Sequence, residues 1–232
     1  MKKLLCFLLT ISLLLGIALC AISCGSEKDD ALSTIETWQQ TYTVGAFGIR
    51  SKSDPFVEFT LSTGESIRVE LYPSVAPRSV ENFITYVKEG FYEGVAFHRI
   101  LEGQMIQCGG FELQDDLYVH KDATHPAIKG EFKANGVNNT LKHTRGVISM
   151  ARTTVYDSAT SQFFICSGSV PSWDGQYAAF GRVIDEESMA VVDRLEKLET
   201  HSETLYYGEV ASNASDVPVT RVTVKKATLV QA

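Results

Sequence analysis

The sequence predicts a mainly β domain, a barrel or sandwich with two helices covering its ends. Three observations carry this. From Pro55 to Val230 the chain is cut by turn residues into short apolar runs of about four to eight residues, a strand's length. Only two windows in that span repeat their apolar residues at helical spacing. Hydrophobic residues make up 44% of the chain and charged residues 21%, enough apolar material for a full core in one domain.

The elements follow in order. Phe56 to Leu61 and Ile67 to Leu71 alternate apolar and polar residues around a turn at Ser62-Thr63-Gly64-Glu65, which predicts a β-hairpin. Val80, Phe83, Ile84 and Val87 fall at i, i+3, i+4 and i+7, which predicts a short helix with one core face. Ser79 is its expected N-cap and Gly90 its stop. Strands are expected at 96–101, 105–108, 147–151, 163–166 and 179–184. A second helix runs from Glu187 to Leu198 with Met189, Val192, Leu195 and Leu198 on one side. A Val- and Thr-rich strand over 217–230 closes the chain.

The N-terminus reads as a targeting segment. Lys2 and Lys3 precede an apolar run from Leu4 to Leu19, short for a spanning helix, which needs about 20 residues. Ala21-Ile22-Ser23-Cys24 resembles a bacterial lipobox, which implies that residues 1–23 are a lipoprotein signal peptide and that Cys24 carries lipid. Residues 24–52, polar at their start, are then a tether, and 53–232 form the folded domain. Trp38, Tyr42 and Phe47 are unusual for a pure linker. Removing residues 1–23 deletes two lysines and no acid, so the formal charge moves from −7 to −9. That favours solubility beside an anionic membrane. The acidic pI of about 5.3, without a Lys/Arg run, argues against nucleic acid as a partner. The five histidines show no zinc-ligand spacing, so neither a metal nor another cofactor is expected. Cys108 and Cys166 are expected as buried thiols rather than a bridge, since Cys166 follows Phe163-Phe164-Ile165.

The chemistry concentrates in Phe97-His98-Arg99-Ile100, with Met105 and Gln107 close behind. A fixed cation among Phe, Ile and Met is costly without a partner, so its placement suggests a groove that holds a peptide. Singly, each residue has an ordinary explanation: a salt-bridged Arg, a core Met, a Gln that caps a turn. The ordered set does not. These residues, then Ile148-Ser149-Met150-Ala151, Ser161-Gln162-Phe163-Phe164-Ile165-Cys166 and Phe180-Gly181, resemble the cyclophilin family of peptidyl-prolyl isomerases. The resemblance covers about residues 54–230. It implies a closed eight-stranded antiparallel barrel capped by two helices, active as a monomer and without cofactor or metal.

The resemblance also implies roles. Arg99 and Gln107 become the catalytic pair: Arg99 on the prolyl carbonyl, Gln107 on the flanking backbone. Met105 and Phe164 wall the proline pocket, and Ala151 presents backbone to the extended peptide. Three positions depart from the family pattern. Gln104 stands where the family has an aromatic wall residue. Ser172 falls at the family's Trp position in ungapped register, with Trp173 one residue later, where Leu is usual. Tyr177 replaces the pocket His. Gln104, Trp173 and Tyr177 are therefore the variable substrate-binding positions, and weaker binding of cyclosporin A is expected. The implied activity is cis–trans isomerisation of Xaa-Pro bonds in exported polypeptides by a membrane-anchored extracytoplasmic lipoprotein. A proline-peptide binding or chaperone module with little turnover is the alternative.

Overall fold

The structure, a computed structural model, describes residues 50–231 and, in isolation, residue 34. The expected signal peptide over residues 1–23, Cys24 and most of the expected tether lie outside the described residues. Arg50 and Ser51, placed in the tether by the sequence, are bound to the domain: both backbone N–H groups donate to the carboxylate of Glu70, at 2.8 and 2.7 Å. Among the described residues no helix is long and apolar enough to cross a membrane.

Among the described residues from 50 onward, twelve strands and two α-helices build the domain. The strands are β1 (Phe56–Leu61), β2 (Ser66–Leu71), β3 (Arg99–Leu101), β4 (Met105–Cys108), β5 (Phe111–Gln114), β6 (Leu117–His120), β7 (Val147–Met150), β8 (Phe163–Cys166), β9 (Ala179–Val183), β10 (Thr200–Tyr207), β11 (Val210–Pro218) and β12 (Val224–Gln231). The helices are α1 (Pro77–Lys88) and α2 (Glu186–Glu196). Eight strands form one antiparallel sheet in the order β12-β1-β2-β9-β7-β8-β4-β3.

The sheet is open, not the closed barrel the resemblance implied: β3 and β12 are its free edges. The chain just before β3 is too irregular to extend the ladder. It crosses the seam with single bonds, Phe97 N–H to Val222 O (3.0 Å) and Val224 N–H to Val95 O (2.8 Å). Both helices pack on this sheet, and the core between them is aromatic-rich. Phe59, Phe83, Tyr92, Phe163 and Phe180 meet at ring separations of 5.0–6.1 Å.

Period-two alternation decides which residues reach the outer face. On β4, Ile106 and Cys108 enter the core while Met105 and Gln107 point outward; on β8, Phe163 and Ile165 enter and Phe164 and Cys166 do not. Cys108 and Cys166 are both buried free thiols on opposite faces of the paired strands, which rules out a bridge between them.

Ser79 is not the N-cap of α1. Pro77 opens the helix after Ala76, as proline at the first helical position favours. Ser79 sits inside the first turn, where Glu131 accepts from Arg78 N (3.1 Å), Ser79 N (2.8 Å) and Ser79 Oγ (2.7 Å). α2 is capped instead by Asp185, which accepts from Ser188 N at 2.6 Å.

A second sheet, β11-β10-β6-β5, was not expected from the sequence. It has its own small core of Ala96, Phe111, Tyr118, Leu205 and Val217, and its β10 and β6 run parallel.

Candidate active site

A short β3–β4 hairpin and β8 bring the main site residues together on the outer face. Arg99 pairs with Gln107 across the hairpin, and Gln107 faces Phe164 on β8. Arg99 is exposed, and its Nη1 lies 3.5 Å from Gln107 Oε1. Gln107 Nε2 donates to Gln162 Oε1 at 2.8 Å. Gly109 and Gly110 leave room for Gln162: a Cβ at Gly109 would collide with the Ser161–Gln162 backbone, and one at Gly110 with the Gln162 side chain. A cation thus sits at the head of a line of two amides, its guanidinium open to an incoming carbonyl.

Beside it lies a pocket of about 110 Å³, lined by Arg99, Met105, Gln107, Ala151, Arg152, Phe164, Trp173 and Tyr177. Pockets for drug-sized ligands run to roughly 300–1,000 Å³, so this one suits a small ring. Met105 and Phe164 are only 2% and 4% exposed and form its floor. Trp173 meets Phe164 edge-on at 5.1 Å and Tyr177 at 5.9 Å. A short 3₁₀ turn over Pro171–Trp173 sends Trp173 into the wall and leaves Ser172 exposed. The aromatic missing at 172 in ungapped register is supplied from 173.

Gln104 is not brought into this pocket. It follows Gly103 in the β3–β4 turn and lines a separate hollow with Glu102, Glu196, Glu199 and Asp216. The turn carries it toward α2, and its backbone carbonyl accepts from Ser167 N at 3.0 Å.

Three residues of the site were not singled out from the sequence. Gln162 is the second amide of the line. Arg152 lines the pocket, its guanidinium 4.6 Å from the Tyr177 ring centre. Its position directly after Ala151 was the available signal. His143 lies beneath Phe164, their rings stacked at 6.0 Å.

His143 also lies between Asp174 (Nδ1 to Oδ1, 3.3 Å) and Ser149 (Nε2 to Oγ, 3.1 Å). The order Ser-His-Asp resembles a nucleophilic triad, but Ser149 is 0% exposed and no substrate carbonyl can reach it. Burial holds the His143 pKa below the usual imidazole value, against the pull of Asp174. The arrangement braces Phe164 from below. Among the described residues no cluster of three or more His, Cys, Asp or Glu is placed to hold a metal ion.

The sheet and this pocket place a small, partly apolar hollow beside an exposed guanidinium. The chain belongs to the cyclophilin-type peptidyl-prolyl cis-trans isomerases: that family's model (cyclophilin type peptidyl-prolyl cis-trans isomerase/CLD) matches residues 56–229. It is 42% identical over 151 residues to peptidyl-prolyl cis-trans isomerase A of Dickeya dadantii, covering 63% of this chain and 73% of that one. To peptidyl-prolyl cis-trans isomerase B of Escherichia coli it is 39% identical over 154 residues, covering 62% and 85%. Among solved structures, a cyclophilin-type isomerase of Cryptosporidium parvum superposes with a TM-score of 0.56 at 24% identity, covering 76% of this chain and 97% of that one, a likeness of fold.

Proposed function

We propose that this protein catalyses cis–trans isomerisation of Xaa-Pro bonds, with Arg99 as its central catalytic residue. The observation that carries the reading is the exposed guanidinium of Arg99, bonded only to the neutral Gln107 amide among the described residues, beside a small pocket floored by Met105 and Phe164. Rotation of an Xaa-Pro bond must overcome about 18–20 kcal/mol, because amide resonance is lost on the way. No bond is broken, so the protein has two tasks: to hold the proline ring and to favour the twisted amide. Met105, Phe164, Trp173 and Tyr177 would hold the ring by apolar contact. Arg99 would donate to the prolyl carbonyl and favour a pyramidal proline nitrogen, a preorganised donor acting where charge shifts. Gln107, steadied by Gln162, would hold the flanking backbone, and Ala151 would line the extended peptide.

The substrates in this reading are proline-containing segments of exported polypeptides. Uncatalysed isomerisation takes about 10–100 s and can limit folding after translocation. The lipobox-like Ala21-Ile22-Ser23-Cys24 supports a lipid anchor on Cys24, with the domain acting as a monomer outside the cytoplasm. Replacing Cys24 by Ala should then shift the protein from the membrane to the soluble fraction on cell fractionation; unchanged partitioning would refute the anchor.

NMR exchange spectra of a short Ala-Pro peptide test the activity. The protein should bring cis and trans signals into exchange, and Arg99→Ala should slow that exchange by about 100-fold or more, the usual effect of removing one such donor. Peptide shifts without faster exchange in the wild-type protein would show a binding module instead.

A further inference from the structure

Two guanidinium groups, Arg99 and Arg152, line the same small pocket, and no carboxylate lines it. Their partners are neutral. Arg99 contacts the Gln107 amide, and Arg152 donates to Gln176 O through Nε (3.1 Å) and Nη2 (2.9 Å) and to Thr153 O through Nη1 (2.8 Å). Among the described residues, neither forms an ion pair. The nearby acids are committed elsewhere. Asp174 serves His143 and Lys142, and Asp157 serves Gly130 N and Asn135. In a chain of net charge −7 this pocket is a local concentration of positive charge.

Arg152 is held beside it by stacking and hydrogen bonds. Its guanidinium lies 4.6, 4.9 and 5.1 Å from the ring centres of Tyr177, Tyr156 and Phe132, and the carbonyl bonds fix its plane. A charge fixed in advance costs little ordering when a ligand arrives.

We infer that Arg152, together with Arg99, makes this site selective for proline segments that carry a carboxylate side chain next to the proline. The inference rests on the isomerase reading and names its preferred substrate class. Replacing a neutral residue by Glu brings a negative charge into the field of both guanidinium groups, one of which the proline itself does not use. At the dielectric of a half-open surface pocket the gain is about three- to tenfold in kcat/KM. It is screened by salt.

Blocked peptides that differ only as Glu-Pro against Gln-Pro, and Pro-Glu against Pro-Gln, test it by NMR exchange. The expected result is a Glu-to-Gln ratio of about three to ten on at least one flank at low salt, falling toward unity at about 1 M salt, where the screening length is about 3 Å. Arg152→Gln should lower the ratio, and Arg152→Lys, which keeps the charge but not the plane, should retain part of it. The ratio is read whatever the basal rate of each variant. A ratio of one or less on both flanks, or one that survives Arg152→Gln, would overturn the inference. Should Arg152→Gln not fold, the wild-type salt dependence decides alone, and a salt-insensitive preference counts against it. Failure to accelerate any peptide, Gln-Pro included, would sink the isomerase reading and this inference with it.

Discussion

Trp173 shows how much a single residue's placement depends on the turn that carries it. The strand residues of the site, Arg99, Met105, Gln107 and Phe164, were named through the family resemblance, and strand alternation and register account for the face they share. Position 173 follows Pro171 in a 3₁₀ turn, and no periodicity says which of Ser172 and Trp173 faces inward. The same limit applied to Gln104, whose turn leads it away from the pocket. Trp173 also offers a direct readout. The chain has two tryptophans, and Trp38 lies outside the described residues. A saturating Ala-Pro peptide should change the indole emission, and Trp173→Phe should remove most of that change. An emission spectrum indifferent to peptide in the wild-type protein would place Trp173 outside the binding wall.

At the scale of elements, legibility followed chemistry. β4 and β8 were found with their observed bounds because both are short, largely apolar runs bounded by turn or polar residues. The second sheet was missed because its strands β10 and β11 are exposed at about half of their positions and read as polar loop. Its β5–β6 turn is made by Asp115-Asp116, both at positive φ (48° and 65°), a two-residue hairpin turn without the usual glycine. α1 was placed correctly but its start was not, because its N-terminal partner is distant in sequence. Glu131 lies 52 residues from Ser79 and answers the first-turn N–H groups that a local cap would otherwise take. Glu131 is 4% exposed, so nothing replaces these bonds cheaply. Glu131→Ala should destabilise the domain by about 2–4 kcal/mol, the size expected for losing charge-assisted bonds at a buried helix terminus. Chemical denaturation would measure it, and hydrogen exchange should quicken first in the opening turn of α1. A loss below about 0.5 kcal/mol, the level of an ordinary surface change, would show that the terminus is held by something else.

For the molecule as a whole, two buried titrating groups act in opposite directions on the pH dependence of stability. His98 is 4% exposed, and burial, helped by the neighbouring Arg99 charge, lowers its pKa from 6.5 to about 4. Glu70 is 0% exposed, and burial raises its pKa from 4.5 to about 7 despite the bonds from Arg50 and Ser51. His98 favours the folded state fully above pH 6.5, and its contribution is lost as pH falls through about 4, where the folded protein resists a proton that the unfolded chain accepts. Glu70 favours the folded state fully below pH 4.5, and its contribution is lost as pH rises through about 7. At 1.36 kcal/mol per pKa unit, each interval is worth about 3 kcal/mol. Between pH 4.5 and 6.5 the two slopes oppose each other and largely cancel, so from these two groups the wild-type protein should show a nearly flat stability profile there. Removing one group should expose the other. Glu70→Gln should leave stability rising with pH across this interval, on the His98 slope alone, while His98→Gln should leave it falling, on the Glu70 slope. Urea denaturation at half-unit pH steps reads all three profiles. The slopes are the test, because either substitution also changes packing by an amount that does not depend on pH. If both variants keep the wild-type slope, neither group titrates in the folded protein as its burial requires.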